Sequence, residues 1–195
     1  MRYGFFFDQT KCSGCGTCIV ACKDFQMIKP GKGQLRRNRP IEKGKYIEGN
    51  YKKYNMVYSC NHCEDPKCLP ACPVGAVYQE PGTNIVRINR TSCQGWGECI
   101  AQCPYNSPSL PEDRQEPVTL SRTTPTKGHR AFKCDMCAER RENGQQPACV
   151  SACLMRAIEW GPYEDLVAKH GDNTVAVGFP VTDTKPSMII KAMPE

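Results

Sequence analysis

The chain has 195 residues, 39% of them hydrophobic, with 15 cysteines, 16 glycines and 16 prolines. So thin an apolar supply leaves a conventional core short, and something besides apolar packing must stabilise the fold. The formal net charge is +6, which alone would keep a nucleic-acid partner open, while no apolar run approaches the ~20 residues of a membrane span.

No secretory or twin-arginine leader is read ahead of the first motif. "RYGFFFD" (2–8) is expected as a strand. It leads into Cys12, Cys15, Cys18 and Cys22, spaced x2, x2, x3, with a short helix expected near Gly16–Cys22. The basic segment at 29–54 is rich in glycine and lacks helical periodicity, so it reads as an insertion that either docks on a partner or is merely solvated. A second group, Cys60, Cys63, Cys68 and Cys72, is spaced x2, x4, x3 and followed by Pro73. "TNIVRIN" (83–89) alternates like a strand. The third group has Cys93, Cys99 and Cys103 before Pro104, with Trp96 where a cysteine would stand, and a helix is expected near Gly97–Cys103. Residues 108–127 form a proline-rich insertion. The fourth group is Cys134, Cys137, Cys149 and Cys153, with "RAIEW" (156–160) as a further strand and 163–195 as a C-terminal tail docking on a partner, extended from 181 onward. The glycine-rich motif loops themselves are expected to be neither helix nor strand.

Four groups account for every cysteine in the sequence. Disulfide scaffolds are usually shorter and even-numbered, and zinc sites favour two C-x2-C halves a dozen or more residues apart. Compact runs ending in x3, often before proline, are the pattern of iron–sulfur ligation. Three cysteines two residues apart wrap a tight loop round one face of a cluster, and glycine lets the backbone approach it. The fourth cysteine sits a helical turn further on and points to the neighbouring cluster, so such motifs work in pairs. The intervals nest groups two and three inside groups one and four. The implied fold class is α+β: two interleaved bacterial-ferredoxin-like double-cluster modules with irregular insertions and an extended C-terminal tail. The outer module takes residues 1–28 and 128–162, and the inner one 55–107.

Each four-iron centre with four thiolates carries about −2, as does a three-iron centre with three. Four centres bring the loaded protein to about −2 and remove the case for nucleic acid. His62, inside the second motif, is expected as a hydrogen-bonding neighbour rather than a ligand. No catalytic triad, phosphate loop or dinucleotide fingerprint stands out, so no catalytic site is expected.

The sequence resembles the four-cluster iron–sulfur subunits of molybdopterin oxidoreductases, the dimethyl sulfoxide reductase type in particular. The resemblance is carried by "GFFFDQTKCSGCGTCIVACKD", "SCNHCEDPKCLPACPVGAV", "KCDMCAERRENGQQPACVSACLMRAI" and "GPYEDLVAKHGD". It implies that Cys12, Cys15, Cys18 and Cys153 hold a first [4Fe–4S] cluster, and Cys134, Cys137, Cys149 and Cys22 a second. Cys60, Cys63, Cys68 and Cys103 would hold a third. Cys93, Cys99 and Cys72 remain for a fourth, with Trp96 beside it. An indole offers no ligand atom and its bulky ring would fill the space of the missing iron and thiolate, so a [3Fe–4S] centre is the simplest expectation; Trp96 as an ordinary core aromatic is compatible with it. Nitrate reductase-type members are similar in having tryptophan there, beside a three-iron cluster. Two alternatives stay open: a labile [4Fe–4S] cluster with water on the exposed iron, and Glu98 as an oxygen ligand.

The implied role is an electron relay. Its partners would be a large molybdenum (or tungsten) bis-pterin subunit and a quinone-linked membrane subunit or soluble donor. The location would be cytoplasmic, or exported folded with a leader-bearing partner. A free polyferredoxin and a zinc-structured interaction module are the competing classes.

Overall fold

The computed structural model describes residues 1–27, 37–41, 46–47, 50–51, 54–109 and 130–194. Most of the two insertions read at 29–54 and 108–127 therefore lies outside the described residues. In sequence order the elements are β1 (Tyr3–Asp8), α1 (Thr17–Phe25), β2 (Arg37–Ile41), β3 (Tyr46–Ile47), β4 (Asn50–Tyr51), β5 (Tyr54–Tyr58), β6 (Val77–Gln79), β7 (Val86–Ile88), α2 (Glu98–Ala101), α3 (Ala138–Glu142), α4 (Ala148–Ser151), β8 (Ile158–Pro162), α5 (Tyr163–His170) and β9 (Met188–Lys191).

Gly4 to Asp8 are all buried, and a strand buried on both faces belongs in the middle of a sheet. β1 is indeed central, with β8 antiparallel on one side and β9 parallel on the other. Phe5 and Phe7 turn to one face and join Met56, Ile85, Ile158 and Ile190 in the main core. Phe6 turns to the other and packs with Ile189 and Leu166 of α5. The main core also contains Cys18, Cys60, Cys63, Cys134 and Cys149, so the motif loops lie directly under the sheet. A smaller core gathers Val77, Val86, Cys93 and Cys99 around the β6–β7 hairpin.

The strand read at 83–89 is confined to Val86–Ile88, because Asn84 takes a left-handed φ of 58° and turns the backbone ahead of it. The helices read near Gly16 and Gly97 form as α1 and α2. Two readings change. The segment 29–54, read as irregular, carries β2 paired with β5 and β3 paired with β4; a hairpin needs no helical periodicity, and its partner "YNMVY" buries Tyr54 and Met56. The C-terminal segment, read as a tail docking on a partner, folds back on its own chain. Met188, Ile189 and Ile190 are buried against β1, and α5 precedes them. That helix has acidic residues in its first turn, Lys169 and His170 in its last, and Gly171 after it, the charge order its dipole favours. Among the described residues no helix is long and apolar enough to cross a membrane.

Candidate metal centres

The four motif loops share one backbone device. The residue before the second motif position is left-handed in every loop: Gly14 at 75°, His62 at 43°, Gly95 at 74° and Met136 at 55°. This turn curls each C-x-x-C, or C-x-x-W, back on itself. At Gly14 a side chain is also excluded by space, since a Cβ would stand 2.5 Å from Asn55 Oδ1. Asn55 in turn donates to the Cys12 carbonyl at 3.1 Å, tying β5 to the first loop. Helix entry repeats as well, with Gly16 before α1 and Gly97 before α2 both left-handed.

Among the described residues, three cavities are ringed by cysteines. One is lined by Cys12, Cys15, Cys18 and Cys153. A second is lined by Cys60, Cys63, Cys68 and Cys103. The third has Cys72, Cys93 and Cys99, together with Trp96 and Glu98. Including the open solvent at their mouths they enclose about 370, 350 and 310 Å³. Among the described residues no three Cys, His, Asp or Glu side chains converge tightly enough to hold a single metal ion. The donor set therefore suits a polynuclear centre better than zinc. Cys134 and Cys149 each act electrostatically on Cys137. Cys22 comes to their neighbourhood through the packing of α1 on α4 and through Gln26, which donates to Asp135 Oδ1 at 3.2 Å.

Burial, reinforced by neighbouring cysteines, pushes the Cys68 and Cys137 thiols up to about 12 and that of Cys99 to about 11. A free thiol is the stable form there, and only a cationic partner such as iron would make the thiolate favourable. Amide donors are already in place: the N–H groups of Ala76, Ser107 and Ala157 point to the sulfurs of Cys72, Cys103 and Cys153, each four residues earlier, at 3.2–3.4 Å.

Trp96 is 54% exposed and donates from Nε1 to Gln94 Oε1 at 3.1 Å. It lines its cavity from the rim, which corrects the expectation that the ring fills the vacant corner; it is no core aromatic either. His62 is fully buried, and its Nδ1 accepts the Val86 N–H at 3.2 Å, as suits a hydrogen-bonding neighbour.

A family model described as a 4Fe-4S dicluster domain matches residues 52–162, and one described as a 4Fe-4S binding domain matches 9–27. The B subunit of the anaerobic dimethyl sulfoxide reductase of Escherichia coli is 36% identical over 197 residues, covering 97% of this chain and 88% of that protein. The present protein belongs to the 4Fe-4S dicluster family of iron–sulfur electron-transfer subunits. The corresponding B subunit of Haemophilus influenzae is 35% identical, covering 97% of this chain and 89% of its own length. The E. coli protein NrfC is 32% identical over 166 residues, covering 85% and 67%.

Two residues of this iron–sulfur subunit were not singled out from sequence. Thr184 is 1% exposed and interacts with Cys63, sulfur to Oγ1, at 3.3 Å, and it stands in a hydroxyl cluster with Thr182 and Tyr105. Lys133 is 3% exposed and lines the cavity of Cys60, Cys63, Cys68 and Cys103. Thr184 lies more than a hundred residues from Cys63, so no local pattern announces it. Lys133 had a faint signal, a cation immediately before a motif cysteine.

Proposed function

We propose that the protein relays single electrons between a large molybdenum (or tungsten) bis-pterin catalytic subunit and a membrane quinone subunit or soluble donor. When bound, iron–sulfur clusters supply that one-electron chemistry. Cys12, Cys15, Cys18 and Cys153 hold one [4Fe–4S] cluster, Cys134, Cys137, Cys149 and Cys22 another, and Cys60, Cys63, Cys68 and Cys103 a third. Cys72, Cys93 and Cys99 hold a [3Fe–4S] cluster. The two modules interleave, 55–107 within 1–28 and 128–162. The protein sits in the cytoplasm, or on the outer face after export with its partner.

The observation that carries this reading is the repeated left-handed turn. The third loop keeps the backbone of the other three while offering an indole at its second position. Its shape suits a cluster loop with one thiolate missing. Glu98 also borders that cavity and is the competing ligand. The partner assignment is supported by similarity to the dimethyl sulfoxide reductase B subunits. The test is EPR of the air-free oxidised protein with iron and acid-labile sulfide counts. A three-iron signal with iron one short of four full cubes is expected. Four complete cubes, or zinc without sulfide, would refute it. Affinity purification from the native host is expected to bring down a molybdenum- or tungsten-containing protein, and a stable lone subunit would point to a free carrier.

A further inference from the structure

Burying an ammonium group is costly unless an opposite charge or a full set of acceptors compensates it. Lys133 Nζ donates to the carbonyls of Val86 and Cys134, the latter at 3.0 Å, and no carboxylate pairs with it among the described residues. The side chain nevertheless lines the cavity ringed by Cys60, Cys63, Cys68 and Cys103. Two carbonyls hold it at the edge of that cavity, and no carboxylate among the described residues balances its charge. Its own neighbour in sequence is Cys134, which belongs to a different set.

We propose that Lys133 is the fixed counter-cation of the centre held by Cys60, Cys63, Cys68 and Cys103, and that it makes this centre easier to reduce. This rests on the ligand sets proposed above. One electron enters without a proton, taking a four-thiolate [4Fe–4S] centre from about −2 to about −3. A buried cation interacts more strongly with the reduced form, and low local dielectric preserves the difference. The held ammonium thus biases where in the relay an electron rests. Its position beside Cys134 also sets the cation at the junction of two centres.

The test is a potentiometric EPR titration of the purified complex carrying Lys133→Met or Lys133→Gln, with iron and sulfide counted in each sample. Both variants are expected to keep their iron. One four-iron signal, the one lost in Cys68→Ser, should become at least ten-fold harder to reduce at a given potential, about 59 mV for one electron. The other centres should move less. Full iron with every midpoint unchanged would overturn the proposal. If both uncharged variants lose that centre, Lys133→Arg decides: restored iron supports a requirement for charge, and unrestored iron overturns it. Wild-type protein lacking these clusters, or Cys68→Ser leaving all signals intact, would instead overturn the ligand sets.

Discussion

Trp96 shows how much one side chain decides when the backbone around it is repeated. Gly95 and Gly97 on either side keep the left-handed angles of Gly14 and Gly16, so the loop is already shaped for a thiolate. Trp96→Cys is therefore expected to complete the site: the oxidised three-iron EPR signal disappears, a reduced four-iron signal replaces it, and iron rises by one per protein molecule. Retention of the three-iron signal would mean that something other than the missing sulfur sets the cluster type. At this scale the grouping of cysteines was readable because their spacings recur within short stretches. Lys133 and Thr184 were not, because their roles follow from where the chain crosses itself rather than from any local interval.

Between elements the decisive packing is that of β9 on β1. Ile189 is completely buried with Phe6 and Leu166, so Ile189→Ala should lower the stability of the cluster-loaded protein by about 2–5 kcal/mol, read as a fall in its thermal midpoint. A segment that served only a partner would leave the isolated subunit unchanged. Asp8 closes the same junction, accepting from Thr10 and facing Lys191 at 3.5 Å. Burial by itself would raise its carboxyl, but the Thr10 hydrogen bonds and the Lys191 charge outweigh it and hold the group below the ordinary value. A depressed folded value means that the stabilisation is whole above the unfolded carboxylate range, near pH ~4, and is lost as pH falls through the folded value. Asp8→Asn should thus cost about 1.5–3 kcal/mol near neutrality, with the gap to wild type closing in acid. A gap independent of pH would show that shape, not charge, matters there. β1 and β8 were legible as apolar runs flanking motifs. The parallel pairing of β9 was not, since "SMIIK" says that a strand exists but not which edge it joins. α5 is legible by its end charges and Gly171, whereas its packing against β1 has no local signal.

For the molecule as a whole, the shortage of apolar residues and the surplus of cysteine are one fact. The main core is completed by cysteines, and each cysteine-lined cavity joins residues far apart in sequence, as Cys153 joins Cys12, Cys15 and Cys18. Without iron, these sulfurs would be protonated thiols, because burial holds groups such as Cys68 and Cys137 near 12. The cross-links between distant loops would vanish, and the bare polypeptide would return to its formal charge of +6. Sheet and clusters should consequently fail together. Titrating the loaded protein with an iron chelator under anaerobic conditions is expected to remove the visible cluster absorbance and the far-UV circular dichroism in one coincident transition, and the stripped protein should show no cooperative melt. If the β8–β1–β9 sheet instead survived iron removal with a melting transition of its own, the apolar face of β1 would be sufficient to fold the protein, and the cysteines would be passengers on a scaffold rather than its completion.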